Sequence, residues 1–373
     1  MNLNLNKQRF FDSEIHTVLN EFDWISDDVL AVGGCVRDFL IQRDYDDIDI
    51  ASSTLPEDVI KKAESNGYKV WETGINHGTV TLQSKETNQM IEHTTFRNDV
   101  STDGRRATVE FAKTFKEDSQ RRDFTICAMG IRKDGMLFDF HNGIKHLKTN
   151  LLDFVGNTED RLDEDALRAL RAFRFACRFG LEIQPDDLYL ICKTFEDDFN
   201  DIVSTERVFM EIEKAMKQLP SLDEWFRFIT YLSFHVIPFV FNIDDDGYSI
   251  RRKISHPSVT DTMNYDAFIH NLLWDIDGVD KLPLTIPQKR RIKFSKDLME
   301  LKASDAIWRN RNLLLDTDVL EVEWFQTFLN FDVEYTIETL KDVLDRDWPD
   351  HLEGKQIGDW QESTFKKELN ILV

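Results

Sequence analysis

Residues 30–52 read LAVGGCVRDFLIQRDYDDIDIAS, and the fold is decided there. Leu30, Ala31 and Val32 form a short apolar run with the character of a buried strand. Gly33 and Gly34 end it, because glycine turns a backbone where a side chain would not fit. Val36 to Ile41 suits a short helix whose first amides point back at the turn, an arrangement that favours an anion such as phosphate. The stretch closes on Asp47-Ile48-Asp49-Ile50. Alternate side chains of a strand share a face, so Asp47 and Asp49 project together while Ile48 and Ile50 pack behind them. Two adjacent carboxylates repel unless a cation lies between them. Carboxylates combined with substrate phosphates are the usual surroundings of Mg²⁺. Alone, a Gly-Gly pair is usually a turn and an Asp-x-Asp a solvated edge. Here a phosphate-binding turn precedes a metal-binding acid pair, and that order points to phosphoryl or nucleotidyl transfer.

The 373 residues suit two or three domains. With 41% hydrophobic and 31% charged residues the chain reads as soluble and globular, and its 28 phenylalanines supply bulk for helical cores. No apolar run approaches the roughly 18 residues of a membrane span, and MNLNLNKQRF lacks the apolar segment of a signal peptide. Cys35, Cys127, Cys177 and Cys192 are scattered without a CxxC pair, which favours reduced thiols, a cytoplasmic setting and no zinc site. A net charge of −23 is unlike that of a general RNA binder. The bases nevertheless cluster, at Arg251-Arg252-Lys253 and from Lys289 to Lys293. A basic track on an acidic body therefore stays open, with weak and salt-sensitive RNA binding.

Around the central stretch, apolar spacing predicts a helix over 8–22 and a second from Pro56 to near Gly67. Strands are expected at Tyr68–Trp71, Thr79–Gln83 and Gln89–Arg97, the last placing Glu92 beside the aspartates. Asn98–Ala107 reads as a loop with Asp103-Gly104-Arg105-Arg106 at its tip. In Arg121-Arg122-Asp123 the paired guanidiniums can grip a triphosphate, and Asp123 can accept from a ribose hydroxyl. From Arg161 to Phe179 few breakers occur, so one helix is expected, stopped by Gly180. At 100° per residue Arg168, Arg171, Arg174 and Arg178 share an arc, with Leu167 and Phe175 inside it. That mixture suits the wall of an anion-binding cleft better than a solvated face. Ala166, Leu170, Phe173 and Cys177 form a separate apolar face.

GG-x-V-R-D followed by Asp47-x-Asp49 resembles the nucleotidyltransferase superfamily. Within it the chain resembles the class II tRNA nucleotidyltransferases, or CCA-adding enzymes, and the bacterial poly(A) polymerases. Residues 121–127 resemble the family's R-R-D-[FL]-T-I-N element, with Cys127 in place of the usual Asn. Residues 164–175 carry its E-D-x-x-R-x-x-R-A-x-R-F run. The resemblance spans residues 28–216. It implies an α+β head with a mixed β-sheet at 1–150, an all-α neck at 151–220 and an all-α body and tail at 221–373.

By the same resemblance Asp47 and Asp49 hold two Mg²⁺ ions for a two-metal nucleotidyl transfer, and Glu92 completes the acidic catalytic cluster. Gly33, Gly34, Arg37, Asp38, Arg121, Arg122, Asp123, Arg171 and Arg174 belong to the nucleotide site. Asp165 and Arg168 select the base of CTP or ATP. A carboxylate accepts from the amino group that both C and A carry, whereas U and G leave a buried partner unpaired. Asp103, Gly104, Arg105 and Arg106 resemble the flexible loop that goes with addition of the terminal A. The function implied is addition of CCA to the tRNA 3′ end. An A-adding enzyme and a poly(A) polymerase are the competitors within the family, although QESTFKKELNILV offers no basic tail of the poly(A) kind. A silent RNA-binding head is the competitor outside it, and the intact acid and Asp165/Arg168 pairs oppose that reading.

Overall fold

A computed structural model describes residues 7–45, 47–102, 107–196, 199–219, 221–236, 284–300, 333–347 and 355–369, with the isolated positions 306, 309 and 353. The chain divides into two compact units, Met1–Ser204 and Thr205–Val373.

The first unit opens with α1 (Lys7–Phe11), α2 (Glu14–Glu21), β1 (Leu30–Val32), α3 (Gly34–Leu40), β2 (Asp49–Ser52) and α4 (Pro56–Ser65). It continues through β3 (Val70–Trp71), β4 (Thr79–Gln83), β5 (Met90–Thr95), β6 (Arg97–Thr102), β7 (Ala107–Phe111) and α5 (Phe115–Gln120). Then come β8 (Met129–Arg132), β9 (Leu137–Asp139), α6 (Gly143–Lys148), β10 (Leu151–Leu152), α7 (Thr158–Glu164), α8 (Leu167–Phe179), β11 (Glu182–Ile183), α9 (Pro185–Glu196) and α10 (Phe199–Ile202). Seven strands form one sheet in the order β3-β4-β5-β2-β1-β8-β9. Only β2 and β5 run parallel and their other neighbours are antiparallel, so the sheet is mixed as expected. Leu30, Val32 and Ala51 pack with Phe96, Ala112 and Phe115 beneath it. β1 and β2 are thereby anchored on the core, and the glycine turn and the acids emerge from their ends.

Three elements differ from the sequence reading. The helix expected over 8–22 is two helices, because the Ser13 side chain accepts the His16 N–H at 3.3 Å and caps a fresh start. The loop expected over Asn98–Ala107 is largely a hairpin, β6 pairing antiparallel with β7. Asp103, Gly104, Arg105 and Arg106 lie outside the described residues. The long helix expected to Phe179 is broken between α7 and α8. Asp165 is extended (φ −155°, ψ 101°), and its Oδ1 accepts the Leu167 N–H at 3.2 Å. A short polar side chain here competes with the helical ladder.

The second unit, among the described residues, is helical: α11 (Thr205–Gln218), α12 (Leu222–Tyr231), a π-turn at Leu232–Val236, α13 (Ile286–Glu300), α14 (Val333–Asp345) and α15 (Lys355–Leu369). The Trp225 indole N–H donates to Met216 Sδ at 3.1 Å, joining α12 to α11. Of the basic cluster in α13, Arg290 and Lys293 are exposed and Arg291 is buried. The other cluster, Arg251-Arg252-Lys253, lies outside the described residues.

Candidate active site

In the parallel β2–β5 pair Asp49 stands opposite Glu92. Asp47, Asp49 and Glu92 are exposed, while Ile48, Ile50, Ile91 and His93 between them are buried. The alternation expected at Asp47–Ile50 is therefore present, and Glu92 joins the same face. Loss of surrounding water, then the negative charge of Glu92 and of Asp47, pushes the Asp49 carboxyl up to about 6, against the opposing pull of Arg122. None of these three carboxylates has a hydrogen bond or ion pair within the described residues. Nor do three His, Cys, Asp or Glu side chains already converge as a complete ligand set among those residues. The donors nonetheless fit a divalent cation: hard oxygens, like charges facing each other, and no internal counter-charge bonded to them.

The glycine turn sits beside this edge. Gly33 has φ +77°, a conformation that L side chains rarely adopt, and its N–H donates to Met129 O at 3.0 Å. A Cβ there would lie 3.0 Å from Arg122 Nη1, so that guanidinium rests directly on the turn. Gly34 begins α3. Arg37 and Asp38 point elsewhere. Both are buried and paired with each other, Arg37 Nε and Nη2 donating to Asp38 at 2.9 and 2.8 Å. Arg37 Nη1 donates to Cys127 Sγ at 3.2 Å, and the group stacks on Phe179 at 4.2 Å. The helix face that carries them turns inward, so they brace the turn from behind. Cys127, where the family has Asn, still accepts a hydrogen bond.

Next to the turn is a cavity of about 310 Å³ lined by Arg121, Arg122, Asp123, Phe124, Cys127, Arg168 and Arg171. Its arginines are held by carboxylates in shared pairs. Asp118, fully buried, accepts Arg121 Nε at 2.9 Å and Arg122 Nη2 at 3.0 Å. Asp123 accepts Arg168 Nε and faces Arg171 Nη2, both at 2.7 Å. Glu164 accepts Arg161 Nη1 at 2.5 Å and Arg168 Nη1 at 2.6 Å. Burial alone would raise the carboxyls of Asp118 and Asp123. Arg122 with Arg121, and Arg171 with Arg168, outweigh it and hold both below the usual range. Five arginines thus share three carboxylates, a formal excess of two positive charges (five minus three) within this group. That excess suits a polyphosphate.

Along α8, Arg168 and Arg174 are buried with Leu167 and Phe175, consistent with a cleft wall and not a solvated face. Arg171 is half-buried at Asp123. One turn further, Arg174 lies over Phe175 at 4.5 Å and Arg178 over Phe179 at 5.1 Å. They stand beyond the residues lining the cavity. Asp165, the C-terminal cap of α7, accepts the Leu167 N–H through Oδ1. The sequence reading missed Asp118, Arg161 and Glu164 as parts of the site. A signal existed: Asp118 precedes Arg121 and Arg122 by three and four residues, and Arg161, Glu164 and Arg168 follow the same spacing.

Residues 29–153 match the family profile of the poly A polymerase head domain. A CCA-adding enzyme of Oceanobacillus iheyensis is 42% identical over 191 residues, 50% of this chain and 45% of that protein. The chain spans about half the length of the curated relatives it matches. A crystal structure of the Bacillus stearothermophilus CCA-adding enzyme in complex with CTP superposes with a TM-score of 0.64 at 24% identity, over 96% of this chain and 93% of that one. A Thermotoga maritima CCA-adding enzyme complexed with tRNA superposes with a TM-score of 0.63 at 21% identity, over 96% and 91%. At those identities the likeness establishes the fold, a mixed-sheet head followed by helical regions. Residues 29–153 are thus similar to poly A polymerase head domains, and the first half of the chain is similar to CCA-adding enzymes.

Proposed function

We propose that the protein adds CCA to the 3′ end of tRNA from CTP and ATP, releasing pyrophosphate at each step. The observation that carries this is the juxtaposition, around Arg122, of a carboxylate edge without bonded counter-charge and a cavity of excess positive charge. The half-chain identity to CCA-adding enzymes supports it.

Asp47 and Asp49, with Glu92 across the strand pair, would hold Mg²⁺. When bound, the metal would activate the tRNA 3′-hydroxyl towards the α-phosphate and stabilise the leaving pyrophosphate. The remaining tasks fall to the chain itself. Arg122, held over the Gly33 turn, and Arg121 bind the triphosphate. Asp123 receives the ribose while keeping Arg168 and Arg171 oriented. Asp165 and Arg168 read the base edge, accepting from the amino group of C or A and donating to its ring acceptors. The loop at 103–106 assists addition of the terminal A. Residues 1–150 act as the catalytic head, 151–220 as the neck, and 221–373 as the part that carries tRNA. None of the four cysteines forms a disulfide, and no described helix is long and apolar enough to cross a membrane. We place the activity in the cytoplasm, the setting that free thiols favour.

The test is extension of tRNA transcripts ending before CCA, after C and after CC, with Mg²⁺ and CTP, ATP or both. Addition of C, C and A followed by arrest is expected. The head profile is shared with poly(A) polymerases, and long A tails would give that reading instead. A single A on the CC-ended transcript alone would mark an A-adding enzyme. No extension of any transcript would contradict all three.

A further inference from the structure

Arg161 does not line the cavity, yet its guanidinium reaches three parts of the frame around it. It is buried. Its Nε donates to Val155 O at 2.9 Å. Its Nη2 donates to Gln120 O and reaches Arg122 O at 3.5 Å. Its Nη1 donates to Glu164, whose same oxygen, Oε2, accepts Arg168 Nη1. Arg168 in turn donates from Nη1 to Arg161 O at 2.9 Å and from Nη2 to Arg121 O at 3.5 Å. The carbonyls of Gln120, Arg121 and Arg122 are therefore all faced by these two guanidiniums. They lie at the C-terminal end of α5, where helix carbonyls lack intrahelical donors and attract cations.

We infer that Arg161 is a positioning residue for nucleotide selection, acting through two routes that meet at the cavity. One fixes the turn at 120–122 and so aims Arg121 and Arg122. The other fixes Glu164 and so sets the fork of Arg168 against Asp123. Neither route bonds to the carboxylates of the acidic edge, which the first reaches only through the charge of Arg122 near Asp49, so Arg161 governs chiefly how tightly and how selectively a nucleotide is held. The inference rests on the nucleotidyl-transfer reading above.

The test uses Arg161→Lys, Arg161→Met and Glu164→Gln. Single-A addition to a CC-ended transcript is followed with ATP and with GTP, and CTP binding is measured calorimetrically without tRNA. In all three variants the KM for ATP should rise about tenfold and kcat should stay within about twofold. CTP affinity and the preference for ATP over GTP should fall with it. Lysine should not rescue, because one ammonium cannot reproduce a planar fork reaching separate acceptors. Glu164 is half-buried, with its side chain 38% exposed, so its conversion to Gln keeps the test valid if the Arg161 variants do not fold. Parental KM, CTP affinity and ATP preference in the variants, whatever their melting temperatures, would overturn the inference and leave the proposed function standing. A parent chain that neither binds CTP or ATP nor extends tRNA would overturn the proposed function and this inference with it.

Discussion

The acidic edge and the arginine cavity solve opposite electrostatic problems in opposite ways. At Asp47, Asp49 and Glu92 like charges face one another with no bonded counter-charge, and Asp49 responds by holding its proton more tightly. In the cavity every carboxylate serves two guanidiniums, and Asp118 and Asp123 respond by giving their protons up more readily. The edge is unfinished without a cation from outside. The charges of the cavity are already paired, and only their surplus is left for a ligand. The proposed nucleotidyl transfer would use both, the edge to take up a cation and the cavity to meet a nucleotide with groups already oriented.

Mutations should separate the two regions. The largest effect is expected from Asp47→Ala. Extension should fall about a thousandfold or more, while metal-free thermal stability holds or rises, since a repulsive charge has gone. A stability loss comparable to a core substitution would show that the edge is internally compensated after all. Arg168→Ala should do the reverse to the fold, costing about 3 kcal/mol in denaturant unfolding. It leaves Asp123 and Glu164 each short of a partner in a site where Arg168 is buried. Gly33→Ala bears on the junction of the regions. The positive φ and the contact with Arg122 predict about 2 kcal/mol of destabilisation and a weaker hold on nucleotide, read as a raised KM.

The smallest effect concerns the strand behind the edge. His93 is buried at hydrogen-bond distance from Ser52, 2.8 Å, and burial pushes its pKa down to about 4 from the usual 6.5. The unfolded chain therefore binds the proton first. Stability from neutral His93 is complete above 6.5 and is lost as pH falls from 6.5 towards 4. Melting temperatures should decline across that window, and His93→Gln should flatten the decline. An unchanged slope in that variant would assign the acid sensitivity to other groups.

The edge was legible in the sequence because a two-residue period is a local property. Asp47-Ile48-Asp49-Ile50 states which side chains face out, and Glu92 follows once β5 is placed beside β2. The arginines were legible as residues but not as partners. Arg37 looks like a phosphate ligand beside two glycines, yet the orientation of a helix barely two turns long is fixed by what packs on it, here Asp38, Cys127 and Phe179. The break at Asp165 was hidden because propensity there favours a helix. A single side-chain bond to the Leu167 N–H overrode it. Asp118 was hidden because its role depends on total burial, which no local pattern states.

The most direct measurement pairs extension with binding in one variant. Asp49→Ala is mixed with CTP alone to obtain its affinity, and then with a tRNA transcript lacking CCA, Mg²⁺, CTP and ATP to obtain its rate. An intact arginine cavity beside a broken acidic edge should bind CTP near the parental affinity and extend nothing. Extension at the parental rate would contradict the assignment of the chemistry to the carboxylate edge.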